Sequence, residues 1–225
     1  MYELARGPLM WVAAILFVAG VLYRAIQLFM LTRKKERAFY RPQTLSLPDT
    51  RQPTPEEQKL ERLAAFQNSL LGKHPVMAVV STVFHACLFA APIFLVAHNL
   101  LLYESWGFTF LSLPDALCDV LTIVLLACVL FFLFRRLLLP RVQAVTTLDD
   151  YVLLFITAAP FLTGFFAYHQ WFDYKTVILL HVLAGEAMLI AIPFTKLGHM
   201  VFFFFARILF GSEYSFWRGN RTWTS

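Results

Sequence analysis

Four histidines have the residue type and the spacing to hold a redox group inside a membrane. Eighteen residues separate His181 from His199, about five whole turns at roughly 100° per residue, so one continuous helix would send both imidazoles from the same face. At roughly 1.5 Å per residue they would stand about 27 Å apart along the axis, close to the ~30 Å hydrocarbon thickness of a bilayer. Earlier in the chain, FHACLFAAPIFLVAH carries a second pair, His85 and His98, thirteen residues apart. Thirteen residues of straight helix turn through about 220° and rise about 20 Å, so this pair matches the first in depth but not in azimuth. Pro92 lies between the two and removes an internal hydrogen bond, and a kink or altered winding there would bring both side chains toward a common neighbour.

If the helices bearing these pairs pack as antiparallel neighbours, His85 and His199 lie toward the inner surface, and His98 and His181 toward the outer. Each pair then offers two axial imidazoles to one b-type haem. An iron with both axial positions filled by protein serves as an electron carrier rather than a site for oxygen or substrate. Asp115, His169 and Glu186 add polar groups to the outer half and mark a candidate quinone or proton site. Glu186 lies about one turn from His181, at a depth where a carboxylate is expensive unless protonated or partnered. Its simpler reading is a neutral side chain hydrogen-bonded to a neighbouring helix, and that of His169 is an interfacial residue.

The elements that must position these groups are apolar throughout. Hydrophobic residues make up 59% of the 225 and charged ones 15%, with 24 Phe, and the mean hydropathy is +0.65. That lies outside the range of a soluble domain and predicts an all-α integral membrane protein. Five runs reach spanning length, about 8–31, 76–103, 116–139, 148–169 and 176–206. The first ends at Arg33-Lys34-Lys35 without a small-residue cleavage site, so it reads as a retained helix and not a signal peptide. Nine Lys/Arg lie from Arg33 to Lys73, and Arg135, Arg136 and Arg141 fall in the next loop on that side, against Arg6 and Lys175 opposite. The amino terminus is therefore expected outside and the carboxyl terminus inside. This bias accounts for the net charge of +5 without nucleic acid.

Residues 1–31 thus form a first transmembrane helix, whose Arg24 is expected to snorkel toward the inner surface. Residues 32–74 form a basic cytoplasmic loop containing an amphipathic helix, with Thr54 and Glu57 as its capping box. Residues 75–210 form a four-helix haem-binding core, and 211–225 a cytoplasmic tail. Cys87, Cys118 and Cys128 form no CxxC or CxxCH pattern, which argues against structural zinc, an iron-sulfur cluster or covalent haem.

The stretch HVLAGEAMLIAIPFTKLGHM, with RRLLLPRVQAVTTLDD before it and FHACLFAAPIFLVAH earlier, resembles the gamma (cytochrome b) subunit family of respiratory nitrate reductases. The resemblance covers helices two to five. Its most specific parts are the eighteen-residue histidine spacing and the PRVxAxTTxxD-like loop. It implies two haems b, one held by His85 with His199 and one by His98 with His181. In one respect the chain departs from the family, whose second helix places its two histidines closer together; here position 95 is Leu95. The long basic first loop is similar to a branch found in redox complexes of sulfate-reducing bacteria, such as the high-molecular-weight cytochrome c complex. There such a subunit connects a cytoplasmic iron-sulfur protein similar to heterodisulfide reductase with periplasmic multihaem cytochrome c or menaquinone. The resemblance therefore implies an electron-transfer subunit of a larger oxidoreductase complex, with other membrane subunits beside it in the bacterial inner membrane. Two alternatives stand next to it: a single haem on His85 and His199, or a haem-free anchor or ion-transport subunit using its intramembrane His and Glu.

Overall fold

The computed structural model describes residues 2–33, 54–68 and 70–199. Much of the 32–74 loop, the stretch 200–210 and the 211–225 tail lie outside the described residues. The described chain is helical with no strand, in the order α1 (Met10–Arg33), α2 (Pro55–Asn68), α3 (Leu70–Lys73), α4 (Pro75–Phe94), α5 (Val96–Trp106), α6 (Asp115–Leu138), α7 (Pro140–Gln143), α8 (Leu148–Tyr168) and α9 (Tyr174–Phe194). A helical turn Tyr2–Leu4 and a π-helical turn Ala5–Leu9 precede α1, and a 3-10 turn Lys196–Gly198 follows α9. Among the described residues five helices are long and apolar enough to cross a membrane: Tyr2–Met30, Pro75–Phe94, Asp115–Leu138, Leu148–Tyr168 and Tyr174–Phe194. Many large apolar side chains on them point outward, as lipid-facing residues of a multi-pass protein do.

Local chemistry starts the helices where the sequence places polar residues. The Glu57 N–H donates to Thr54 Oγ1 at 3.3 Å and the Thr54 N–H to Glu57 Oε2 at 2.7 Å, so the capping box opens α2 as expected. Asp150 plays the reciprocal part for α8, where its Oδ2 accepts from the Thr147 N–H at 2.9 Å and from Thr147 Oγ1 at 3.1 Å. Asp173 caps α9 by accepting from the Thr176 N–H at 2.9 Å and its hydroxyl at 2.7 Å. These bonds, the hydroxyl first, hold the Asp173 carboxyl below the usual carboxylate range. The stabilisation they bring is complete at neutral pH and is lost as acid protonates the cap.

The chain divides into two compact units, one made of residues 1–35 with 133–225 and the other of 36–132. In the first, α9 packs against α8 on one side and α1 on another. Contact with α1 requires Gly20, because a Cβ there would meet Pro193 Cβ and Cγ at 2.7 Å. In the second unit, Phe84 packs edge-on to His85 and to Phe132, with ring centroids 5.2 and 5.3 Å apart. Cys87, Cys118 and Cys128 are buried thiols of this unit.

One expectation about the helices needs correction, and two gain detail. The run 176–206 does not form one helix through both His181 and His199: α9 stops at Phe194, Thr195 is extended (φ −125°, ψ −174°), and the 3-10 turn intervenes before His199. Pro193 cannot donate to the carbonyl four residues back. The Thr195 hydroxyl then takes the Ala191 carbonyl at 2.6 Å and accepts from the Leu197 N–H at 3.2 Å, restarting the chain as a new cap. Five whole turns on one face therefore do not describe the two histidines. The run 76–103 is likewise interrupted, at Leu95 (φ −68°, ψ 130°), three residues beyond Pro92. Finally, Arg24 is exposed, and its Nε donates to the Pro193 carbonyl at 3.1 Å.

Candidate functional site

In all four candidate histidines Nδ1 faces a backbone carbonyl. Nδ1 of His85 lies 2.7 Å from the Ser81 carbonyl, that of His98 2.9 Å from Pro92, that of His181 2.9 Å from Pro160, and that of His199 2.7 Å from Lys196. A backbone carbonyl has no proton to give, so in each ring Nδ1 carries the hydrogen and Nε2 the lone pair. This is the tautomer a metal-binding imidazole needs, with the backbone fixing the ring's orientation. His85 and His199 bond carbonyls four and three residues back, within reach of any helical histidine. The bonds of His98 and His181 depend on a helix break and on a neighbouring helix.

His98 owes its partner to the break at Leu95. Interrupting the helix strips the carbonyls of Pro92, Ile93 and Phe94 of their helical donors. His98 Nδ1 takes the first, Asn99 Nδ2 the second at 3.1 Å, and the Leu113 N–H the third at 2.9 Å. Asn99 is 2% exposed and uses its remaining capacity on the loop after α5, donating to Ser112 Oγ at 3.1 Å and accepting from the Phe110 N–H at 3.0 Å. Sequence reasoning missed Asn99, and a lone amide inside an apolar run four residues beyond Leu95 was the available signal.

His181 lies against the turn of α8 from Pro160 to Gly164. Thr163 Oγ1 stands 3.4 Å from Nδ1. Gly164 makes room for the ring, since a Cβ there would stand 3.0 Å from His181 Cε1 and 3.3 Å from Nδ1. His199 is exposed and follows the break at Thr195.

The remaining candidates are arranged differently. His169 ends α8 among aromatic rings, 4.3 Å from Phe165, 5.0 Å from Tyr168 and 5.8 Å from Trp171 between centroids, which suits an interfacial cap. Asp115 is the exposed first residue of α6. Glu186 is 3% exposed, and neither carboxyl oxygen has a hydrogen-bond partner among the described residues, contrary to the hydrogen-bonded reading. A buried polar group without a partner destabilises by about 1–3 kcal/mol. Glu186→Leu is therefore expected to raise the melting temperature of the purified protein, and a lower one would mean that a partner satisfies the carboxyl. Arg136 also has a buried Nε with no partner among the described residues.

Among the described residues no three His, Cys, Asp or Glu side chains gather as a site for a bare ion. Ligation of a haem iron asks only for one imidazole on each side. His85 and His98 belong to the 36–132 unit, and His181 and His199 to the other.

A protein of Nitratidesulfovibrio vulgaris (strain Hildenborough) is 34% identical to this chain over 224 residues, covering 99% of this chain and 97% of that protein. No protein-family model matches the chain. No solved structure matches it.

Proposed function

We propose, for a chain that belongs to the same family as the Nitratidesulfovibrio vulgaris protein, that it is a dihaem b-type cytochrome subunit of a membrane redox complex. The observation that carries this reading is the shared Nδ1-to-carbonyl bond of His85, His98, His181 and His199. Four imidazoles held in the ligand tautomer, all within helices of a membrane protein or just beyond their ends, are more than an anchor requires. The residues fit the group in chemical type as well: imidazole donors, phenyl walls such as Phe84 beside His85, and Arg136 with a buried donor suited to a carboxylate such as a propionate.

When bound, each haem supplies reversible one-electron transfer. The chain's own residues hold and orient it. The carbonyls of Ser81 and Lys196 fix the rings of His85 and His199, those of Pro92 and Pro160 the rings of His98 and His181, and the apolar helices exclude water. The pairing of His85 with His199 and of His98 with His181 rests on the resemblance to the nitrate reductase gamma subunit family. The same resemblance, and an inner side assigned by its Lys/Arg excess, support a multi-pass subunit of the bacterial inner membrane with the amino terminus outside. Its partners on this reading are a cytoplasmic iron-sulfur subunit and periplasmic multihaem cytochrome c or menaquinone, as in the complexes of the high-molecular-weight cytochrome c kind. The relative's origin in a sulfate reducer accords with that branch.

A pyridine haemochrome assay on the purified chain tests the reading. Two haems b per chain are expected, with one lost in His199→Ala and one in His98→Ala. A single haem, lost only with His199→Ala, would leave the inner site alone. The second reading, an ion-transport or anchor subunit, is favoured by Glu186, whose buried oxygens await a partner; protein without a Soret band would establish it over the first.

A further inference from the structure

We propose that Arg24 and the Asp150–Lys196 pair clamp the broken end of α9 from two sides and so set the position of His199, an inference that rests on the cytochrome reading. Breaking the helix at Thr195 leaves the Pro193 carbonyl without its helical donor, and Arg24 of α1 supplies one from outside the helix at 3.1 Å. The approach of α1 that makes this reach geometrically short is the one Gly20 permits at Pro193. On the other side of the break, Lys196 Nζ donates to Asp150 Oδ1 at 2.8 Å. Asp150 is itself immobilised, because its second oxygen is committed to the Thr147 cap of α8. Lys196 is also the residue whose carbonyl accepts from His199 Nδ1 at 2.7 Å. One ion pair, one residue of backbone and one hydrogen bond therefore join the start of α8 to the imidazole.

Magnitude separates positioning from stability. The Lys196 side chain is 63% exposed, and an ion pair so solvated contributes only about 0–1 kcal/mol to folding. The geometric consequence is larger. His199 follows a break and a 3-10 turn with no continuous helix leading into it, so its ring direction depends on how Pro193 to Gly198 is held. Arg24 and Asp150 are positioning residues on this view, acting on the imidazole through Pro193 and Lys196. They give the first helix a part in the site.

The test uses the full-length protein with its haems, as redox titrations and low-spin EPR spectra of the parent, Arg24→Gln, Lys196→Met, Lys196→Arg and the Asp150→Asn/Lys196→Met double variant. Amide hydrogen exchange over residues 193–199 and melting curves accompany them. Arg24→Gln and Lys196→Met are expected to keep the parent's haem count and to shift the potential and g-values of one haem only, the one lost in His199→Ala. Lys196→Arg should restore the parent signature, and the double variant should go no further than Lys196→Met alone. Exchange over 193–199 should quicken at least tenfold while the melting temperature stays within a few degrees. Unshifted spectra in a haem-loaded parent series would overturn the clamp and leave the cytochrome reading intact, as would equal shifts in both haems or a Lys196→Arg variant that behaves like Lys196→Met. A parent without haem overturns the cytochrome reading and the proposed positioning with it. Faster exchange in those variants would then show only a backbone brace.

Discussion

Asn99→Leu is expected to destabilise the 36–132 unit by about 3–5 kcal/mol, the largest stability effect of any single exchange considered for this protein. The substitution is close in volume and matches the apolar surroundings, so hydropathy alone would score it as neutral. It removes three hydrogen bonds, to Ile93, Ser112 and Phe110, and leaves the Ile93 carbonyl and the Phe110 N–H against an apolar side chain at a position that is 2% exposed. Each such orphan costs about 1–3 kcal/mol. The three buried thiols of the same unit supply the readout: a maleimide dye that fluoresces on reaction should label Cys87, Cys118 and Cys128 at a markedly lower temperature in Asn99→Leu than in the parent. Unchanged labelling would mean that the break at Leu95 is held by His98 and Leu113 without Asn99. The same melt on His98→Ala, which removes the bond to the Pro92 carbonyl, should show a smaller drop.

Gly164→Val carries the second large effect, on the cofactor and not on the fold. The imidazole of His181 occupies the space a side chain would take, with Cε1 3.0 Å and Nδ1 3.3 Å from where a Cβ would stand. Alanine asks the ring to give by a few tenths of an ångström. Valine adds two methyl carbons with a stiff χ1 and no comparable escape. The bond from Nδ1 to Pro160, 2.9 Å long, is the first thing broken when the ring moves. On the cytochrome reading Gly164→Val loses one of two haems, the same one as His181→Ala, and Gly164→Ala keeps both with a shifted potential for that one. The haemochrome count and a redox titration read this directly. Two haems with parental potentials in Gly164→Val would remove His181 from the ligand set.

Much of this protein is written in composition and punctuation. Five apolar runs at spanning length become five helices that can cross a membrane, because lipid allows no other way to satisfy a lone backbone segment and every residue of the run reports the same preference. The capping box at Thr54 and Glu57 is equally legible, since its partners are three residues apart and need nothing from the rest of the chain. The four histidines also stand out in sequence, being costly groups in an apolar setting.

What the tertiary structure decided is how those histidines are presented. Prolines at 92 and 193 announce irregularity, but the breaks fall at Leu95 and Thr195. Their positions depend on which donors arrive to take the stranded carbonyls: Asn99 and Leu113 in one case, Arg24 from α1 in the other. Such donors come from across the break, six residues on at Asn99 and nineteen at Leu113, or from another helix at Arg24, and no local periodicity encodes them. The bed for His181 at Pro160 and Gly164, and the Asp150–Lys196 link ahead of His199, have the same origin. Sequence by itself determines the residue types and the number of spans, because those follow from each segment's own transfer free energy. The direction in which an imidazole points is a property of contacts between segments, and only the folded chain determines it.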